Sequence, residues 1–142
     1  MKRIVSGAYV ANKSITLQHD LSGQEITTDL APAQGGGGKS FSPTDLLATA
    51  LGSCMATLGG IAAEREGLSL AGSRIEVEKR VDYQDVAGGA TPKIQGFVVT
   101  FRLPKSLTER QRQAIERGVA TCPVTHALRP EVEVTTHYAY DL

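Results

Sequence analysis

The chain contains 142 residues, of which 41% are hydrophobic and 21% charged, and its fifteen basic residues balance fifteen acidic ones. This length suits one domain with its own core and is short for two, so we expect a single domain over residues 1–142. The zero net charge gives no basic field that would attract nucleic acid or anionic lipid, and it favours self-association. Because the N-terminus lacks the apolar stretch of a signal peptide and glycines interrupt the apolar region 46–63, we expect a cytoplasmic protein without a membrane span.

The first forty residues predict short strands followed by an irregular loop. Apolar and polar residues alternate at 15–17, and a turn at 21–24 precedes a second extended segment at 25–28, as is typical of an antiparallel meander over residues 4–28. Residues 31–40 contain Pro32 and four successive glycines at 35–38, a composition that favours no regular element. We therefore expect a flexible loop there.

A long helix is predicted from Pro43 to about Glu66. Ser42 provides an N-cap hydroxyl, Pro43 suits the first helical position, and Gly67 favours a left-handed stop. The larger apolar residues recur at spacings of four, three, four and three, which predicts one buried stripe centred on a cysteine: Leu47, Leu51, Cys54, Leu58 and Ile61. Small residues fill the rest of the helix, so another backbone is expected to pack closely against it.

A β-hairpin and a last strand are predicted in the second half of the chain. Residues 75–83 and 94–103 alternate as half-buried strands, joined by a loop that contains Gly88, Gly89 and Pro92. Residues 132–138 predict the last strand. Together with the helices, this order predicts an α+β fold with helices on one side of antiparallel sheet.

A second helix is predicted between the hairpin and the last strand. A capping-box pattern at 106–109 opens it, and it continues through Val119. Its buried stripe of Ile115, Val119 and Cys122 ends on a thiol, where Pro123 disfavours helical geometry. A short turn over residues 123–128 is expected to follow.

The two cysteines of the chain both end up on predicted buried stripes. Cys122 precedes a proline at a helix start, where backbone amides stabilise a thiolate. Cys54 lies about three turns into its helix, so any activation must come from groups that the fold brings to it. Either thiol alone is more often a small buried hydrophobe. If the helices pack together, one thiolate can attack a peroxide to give a sulfenic acid, which the other thiol converts to a disulfide.

These residues resemble those of a known family. The pattern Ser42-Pro43-x-x-Leu46-Leu47-x-x-x-Leu51-x-x-Cys54, followed by a hairpin, an amphipathic helix and Cys122-Pro123-Val124, is similar to the OsmC/Ohr family of osmotically inducible and organic hydroperoxide resistance proteins, above all its OsmC-like branch. The resemblance covers about residues 5–140. It implies an α+β fold with antiparallel β-sheets around a long central helix, and an intertwined homodimer with thiol sites at the subunit interface. It also implies that Cys54 is the peroxidatic cysteine and Cys122 the resolving one, that organic hydroperoxides are the substrates, and that small or lipoyl dithiols are the reductants.

The resemblance is incomplete at the residues that support the thiols. The family's peroxidases place a glutamate ten residues before the first cysteine and an arginine in the N-terminal strands. This sequence has Thr44 at the first of these positions. Asp45 is adjacent but points about 100° away around the helix. Lys13 lies near the position expected for the arginine, although it lacks the planar fork of a guanidinium.

Two other patterns compete with the thiol pair as candidate sites. Residues 33–40 match a relaxed phosphate-binding loop, but the preceding segment ends in Pro32 and the helix starts only at Ser42, so a loop beside the thiol site is expected, with Lys39 supplying positive charge. His126 lies four residues after Cys122, within reach of a thiol or a metal. Two cysteines and one histidine are too few for a zinc site, so neither a metal nor a cofactor is expected.

Two functions of different classes follow from the sequence. The first is a cytoplasmic, dimeric, thiol-dependent peroxidase that reduces organic hydroperoxides and is regenerated by a dithiol; the intact cysteine pair favours it. The second is a weakly catalytic or non-catalytic protein of the same fold that binds an apolar ligand or senses redox state; Thr44 favours it. Phosphate or nucleotide binding through residues 35–40 is a distant third.

Overall fold

The computed structural model describes the backbone of residues 1–86 and 89–142 and the side chains of residues 1–83 and 92–142. The chain divides into two compact units, Met1–Leu47 and Ala48–Leu142. A strand meander, a long helix, a hairpin, two shorter helices and a last strand follow one another, which confirms the predicted α+β class. The expectation of a single domain stays a prediction.

The first unit begins with a three-stranded antiparallel sheet, which confirms the predicted meander. Its strands lie in the order β1 (Val5–Ala11), β2 (Ser14–His19) and β3 (Glu25–Thr27). Asn12 and Lys13 form the β1–β2 turn with φ values of 49° and 65°, because a two-residue hairpin turn of this kind requires the left-handed region at both positions. One turn of 3₁₀-helix, Pro32–Gln34, lies within the expected loop.

The long helix α1 (Pro43–Arg65) begins and ends where the sequence predicts. The Ser42 amide donates to Asp45 Oδ2 at 2.8 Å, and the Asp45 amide donates to Ser42 Oγ at 3.2 Å, so the two side chains cap the helix reciprocally. Gly67 has a φ of 72° and provides the left-handed stop. By length and composition alone α1 is able to cross a membrane, a test that core helices of soluble proteins also pass.

The second unit contains a mixed sheet in the order β4 (Arg74–Val86), β5 (Gly89–Leu103) and β6 (Glu133–Tyr140). The β4–β5 hairpin is antiparallel, as predicted, but its strands are longer: Pro92 lies in β5 opposite Tyr83 rather than in a loop. Gly88 lies outside the described residues. The prediction of a wholly antiparallel sheet is wrong, because β6 pairs parallel to β5 after a helical crossover.

Two helices make this crossover, α2 (Glu109–Ala120) and α3 (Pro123–Ala127). The capping box that opens α2 is formed by Thr108 and Gln111, two residues later than predicted. Leu107 is buried, so the chain enters the core before the helix begins. The predicted break at Cys122 is confirmed, since Cys122 occupies the position before the first residue of α3 and has non-helical backbone geometry.

The face of α1 that is buried differs from the predicted stripe. Its buried residues are mostly small: Ala48, Leu51, Gly52, Met55, Gly59 and Ala63. Of the predicted stripe only Leu51 is fully enclosed, and Ile61 is 39% exposed. A Cβ on Gly52 would lie 2.6 Å from Val77 Cγ2, so the small residues are what allow the sheet to approach the helix.

Candidate functional site

Cys54 and Cys122, the two candidate catalytic residues, are brought together within the second unit. Cys54 lies on α1 and is partly exposed, whereas Cys122 lies between α2 and α3 and is completely buried. Both are free thiols, and they lie close enough for each to affect the pKa of the other. Ile115 and Val119 of α2 are buried on the same stripe as Cys122, as the sequence predicts, and this packing fixes the position of the second thiol.

The environment acts on the two thiols in opposite directions. Burial is the largest influence on Cys122 and on its own would raise the pKa, but the neighbouring polar groups of Thr125, Cys54 and Val124 outweigh it, so the pKa of Cys122 is lowered. Burial raises the pKa of Cys54, and the neighbouring Cys122 raises it further. Cys122 is therefore the sulfur that ionises first.

The donors that act on the sulfurs come from the first turn of α3. Val124 lowers the pKa of both thiols, and Thr125 lowers that of Cys122. The amides of this turn are free because the first N–H groups of a helix have no partner within it. The pKa of Cys122 is shifted in the direction that the sequence predicts, and the pKa of Cys54 is lowered by Val124 of α3, which its own helix does not do.

The carboxylate of Asp45 is engaged in capping α1. It accepts the Ser42 amide, while Thr44 Oγ1 lies 3.1 Å from Ser42 Oγ. Both residues belong to the first unit. The prediction that Thr44 and Asp45 support the thiols stays a prediction, and the capping bond explains independently why an acidic residue occurs at position 45.

Lys13 lies in the β1–β2 turn of the first unit. Its amide donates to the Tyr9 hydroxyl at 3.0 Å, and its Nζ lies 3.4 Å from the carbonyl oxygen of Gln34. The ammonium group therefore tethers the turn to the loop that follows β3. Its expected role beside the thiols stays a prediction.

The glycine-rich loop is organised around the carboxylate of Asp29. Oδ1 accepts the amides of Leu30 at 2.8 Å and Gly37 at 3.1 Å, and Oδ2 accepts the amide of Lys39 at 3.0 Å. The other glycine amides donate to carbonyl oxygens of residues 30–32. Every amide of the glycine run is thus occupied, which argues against the phosphate-binding interpretation. The expectation that Lys39 supplies positive charge beside the thiols stays a prediction.

His126 is exposed on α3, and its backbone amide donates to the Cys122 carbonyl at 3.2 Å. No hydrogen bond or ion pair of its side chain occurs within residues 1–83 and 92–142. Over the described part of the chain, no group of three histidine, cysteine or acidic residues could hold a metal ion. The interpretation of His126 as an ordinary surface histidine fits this placement.

A family model described as OsmC-like protein matches residues 36–137, which include both thiols and both helices that carry them. The chain belongs to the OsmC-like family. Membership in this family supports a redox or peroxide-related role for the OsmC-like chain, and it confirms the resemblance read from the Ser42 and Cys122 motifs. No curated protein matches the sequence.

Solved structures share the fold of this OsmC-like protein over nearly its whole length. An osmotic stress induced and detoxification response protein from Psychrobacter arcticus 273-4 is 27% identical, with 97% of this chain and 96% of that one covered and a TM-score of 0.87. An organic hydroperoxide resistance protein OsmC from Legionella pneumophila is 17% identical, with 98% and 97% covered and a TM-score of 0.74. The organic hydroperoxide resistance protein OhrB of Bacillus subtilis is 20% identical, with 94% and 95% covered and a TM-score of 0.66.

Two residues of functional interest were missed by the sequence reasoning. Thr125 follows an N-cap thiol by three residues, a spacing that sets its side chain on the same side of the first turn, and this signal was available in the sequence. Asp29 lies eight and ten residues from two of the amides that it binds, so only the fold brings them together.

Proposed function

We propose that this protein is a cytoplasmic thiol peroxidase that reduces organic hydroperoxides through a two-cysteine cycle. The observation that carries the proposal is the neighbouring pair of free thiols, one partly exposed and one buried, beside the first residues of α3. A thiolate held by amide donors is the reactive form of cysteine, and two adjacent thiols are what disulfide formation after oxidation requires.

In the proposed cycle the partly exposed Cys54 is the residue that reacts with the peroxide. Its proton passes to the Cys122 thiolate, and the Cys54 sulfur attacks the terminal oxygen of the hydroperoxide. The O–O bond breaks, Cys54 becomes a sulfenic acid, and the alkoxide takes the proton from Cys122 and leaves as an alcohol. The Cys122 thiolate then attacks the sulfenic sulfur, forms the disulfide and releases hydroxide. A dithiol, small or lipoyl, restores both thiols by exchange and is itself oxidised.

Organic hydroperoxides are favoured as substrates by two considerations. Relatives of the same fold carry the name organic hydroperoxide resistance protein. Apolar side chains flank Cys54 on α1, since Leu58 is partly exposed and Ile61 is exposed. An apolar surface beside the thiol favours an alkyl or aryl peroxide over hydrogen peroxide.

The proposal is tested by mixing the reduced protein with a slight excess of cumene hydroperoxide or hydrogen peroxide and counting free thiols over time. We expect rapid loss of two thiols with cumene hydroperoxide, none with Cys54→Ser, and a trappable sulfenic acid in Cys122→Ser. His126→Ala is the matched control, because it changes an exposed residue of α3 and is expected to react as the parent does. Oxidation no faster than that of free cysteine would contradict the proposal.

The second candidate function is a slow, redox-responsive protein rather than a peroxidase. Two observations favour it: residue 44 is a threonine, and the Asp45 carboxylate is engaged in capping α1. The thiols would then equilibrate with cellular dithiols. Incubation in graded thiol–disulfide buffers measures this directly; a sharp two-electron transition together with negligible peroxide turnover would favour the second function over the first.

We also propose that the protein is a homodimer. The buried residues of Met1–Leu47 are two polar ones, so its three-stranded sheet has no apolar core of its own. Large apolar side chains of this unit are exposed instead: Ile4, Val5, Tyr9, Val10, Ile26 and Phe41. Apolar surface of this kind commonly marks an interface, and a second copy would cover it. Light scattering after gel filtration would give twice the 15.1 kDa chain mass, whereas a monomer would overturn the proposal.

A further inference from the structure

The helices α1 and α2 leave a groove between them on the surface of the second unit. Its volume of about 460 Å³ lies within the range of about 300–1,000 Å³ that is usual for small-molecule sites. A Cβ on Gly118 would lie 2.7 Å from the Ala62 Cβ, so the helices approach each other closely and small residues form the bottom of the groove. The apolar residues that line it are Leu58, Ile61, Ala62, Ala114 and Gly118.

The polar residues along this groove carry unbalanced positive charge. Arg65 of α1 and Arg117 of α2 both line it, and both are exposed. Neither side chain forms a hydrogen bond or an ion pair within the part of the chain that the structure describes. The acidic residue that lines the groove, Glu66, is already paired, because its Oε2 lies 3.2 Å from Arg110 Nη2. Two guanidinium groups therefore remain for an external anion.

The positions of the two arginines do not by themselves require a ligand. Each lies in the last turn of its helix, where a cation interacts favourably with the helix dipole. The dipole does not explain the apolar strip beside them, in which Ile61 is exposed and Leu58 is half-buried. Since Leu58 and Arg65 are separated by about 10 Å along the helix axis, one small molecule can contact both the strip and the charge.

We propose that the groove between α1 and α2 binds an aliphatic carboxylate, whose hydrocarbon chain lies on the apolar strip and whose carboxylate lies between Arg65 and Arg117. A carboxylate matches the planar fork of a guanidinium group, which binds it through paired hydrogen bonds. Removing the chain from water supplies the rest of the binding free energy. The thiols take no part in this binding, so the site is independent of the proposed peroxidase function.

Isothermal titration calorimetry of the parent protein with decanoate, kept below its micelle concentration, tests this site. We expect saturable binding that becomes about tenfold weaker in Arg65→Gln and in Arg117→Gln, because each variant loses a hydrogen bond between charged groups. Arg129→Gln is the matched control, since it removes the same charge from an exposed position outside the groove. Hexanoate should bind more weakly than decanoate because its shorter chain buries less apolar surface.

Decanol separates recognition of the carboxylate from non-specific binding of the chain, and it should bind more weakly than decanoate to the parent. Both arginines are exposed, so their variants are expected to fold as the parent does, which thermal unfolding checks. Equal affinity of the parent and both groove variants for decanoate, or equal affinity of the parent for decanol and decanoate, would overturn the proposal. Absence of decanoate binding would also overturn it, as would be found if a second copy of the chain covered the groove.

Discussion

The thiols of Cys54 and Cys122 lie close enough to affect each other's ionisation, and this proximity acts on the two residues in opposite directions. It raises the pKa of Cys54, after the larger effect of burial, and it helps to lower the pKa of Cys122. The ionisation of one thiol therefore depends on the protonation state of the other. Neither cysteine titrates as an independent group.

Removing one thiol should change the acidity of the other. In Cys122→Ala the Cys54 thiol loses the neighbour that raises its pKa, so its pKa should fall and its alkylation by iodoacetamide at neutral pH should become faster. In Cys54→Ala the pKa of Cys122 should rise, because a neighbour that lowers it is lost. Alkylation rates against pH measure the first effect, and thiolate absorbance measures the second. Cys122 variants in which Cys54 reacts more slowly than in the parent would contradict the assigned direction of the pKa shift.

The contact between α1 and α2 should tolerate no extra methyl group at Gly118. A Cβ there would lie 2.7 Å from the Ala62 Cβ and 2.8 Å from the Leu58 carbonyl oxygen, which is backbone and cannot rotate away. Overpacking of about 1–3 kcal/mol should outweigh the better helix propensity of alanine, about 1 kcal/mol. Gly118→Ala should lower the free energy of unfolding in urea. The exposed Gln113→Ala on the same helix is the control, and an unchanged Gly118→Ala would contradict close packing of the two helices.

The ends of the elements around the site could be predicted from the sequence because local chemistry determines them. Ser42 and Gly67 cap α1 as expected, and Pro123 separates α2 from α3 at Cys122. Each of these features depends on one or two neighbouring residues. The proximity of the two thiols depends on how the helices pack, and the stripe of Ile115, Val119 and Cys122 indicated only which face of α2 is buried.

The buried face of α1 could not be predicted from spacing. Apolar residues are spread almost evenly around this helix, so periodicity selects no face. The buried face is instead determined by Gly52 and Gly59, which have no side chains and against which Val77 and Val119 pack.

The parallel direction of β6 could have been predicted from the sequence, since a helical crossover between two neighbouring strands makes them parallel.

Alkaline solution should unfold the second unit through Tyr138. Burial, followed by the nearby Glu116 carboxylate, raises the pKa of this phenol to about 12. The pKa of Tyr138 in the folded protein lies above the value of about 10 in the unfolded chain. The contribution of Tyr138 to stability is therefore fully present below about pH 10 and is lost as the pH rises toward 12. Tyr138→Phe removes this titration and should flatten the loss over that range. Urea unfolding at pH 8, 10 and 11 measures it, and an equal loss in parent and variant would contradict the assignment.

Removing the hydroxyl of Tyr140 should destabilise the fold, because Glu116 then lacks its hydrogen-bond donor. That hydroxyl donates to the Glu116 carboxylate, and the Arg112 guanidinium lies 4.1 Å from the centre of the Tyr140 ring. Tyr140→Phe keeps the ring and its cation–π contact but leaves a part-buried carboxylate without its donor, which should lower stability by about 1–3 kcal/mol at neutral pH. The double variant Tyr140→Phe with Glu116→Gln should recover part of this loss. If the single variant is as stable as the parent, the hydrogen bond contributes nothing measurable.

The glycine-rich loop should open when Asp29 is neutralised. The amides of Lys39, Gly37 and Leu30 donate to this carboxylate and lower its pKa, with Lys39 the largest contributor, against a smaller opposing effect of burial. Because the folded pKa is depressed, this stabilisation is complete above the unfolded value of about 3.9 and disappears as the pH falls through the folded value. At neutral pH, Asp29→Asn should remove the same stabilisation of the loop that protonation of Asp29 removes from the parent in strong acid. Hydrogen exchange of the Gly37 and Lys39 amides should then become faster, while the same amides in Asp20→Asn, which alters a carboxylate paired with Arg3, should exchange at the parental rate.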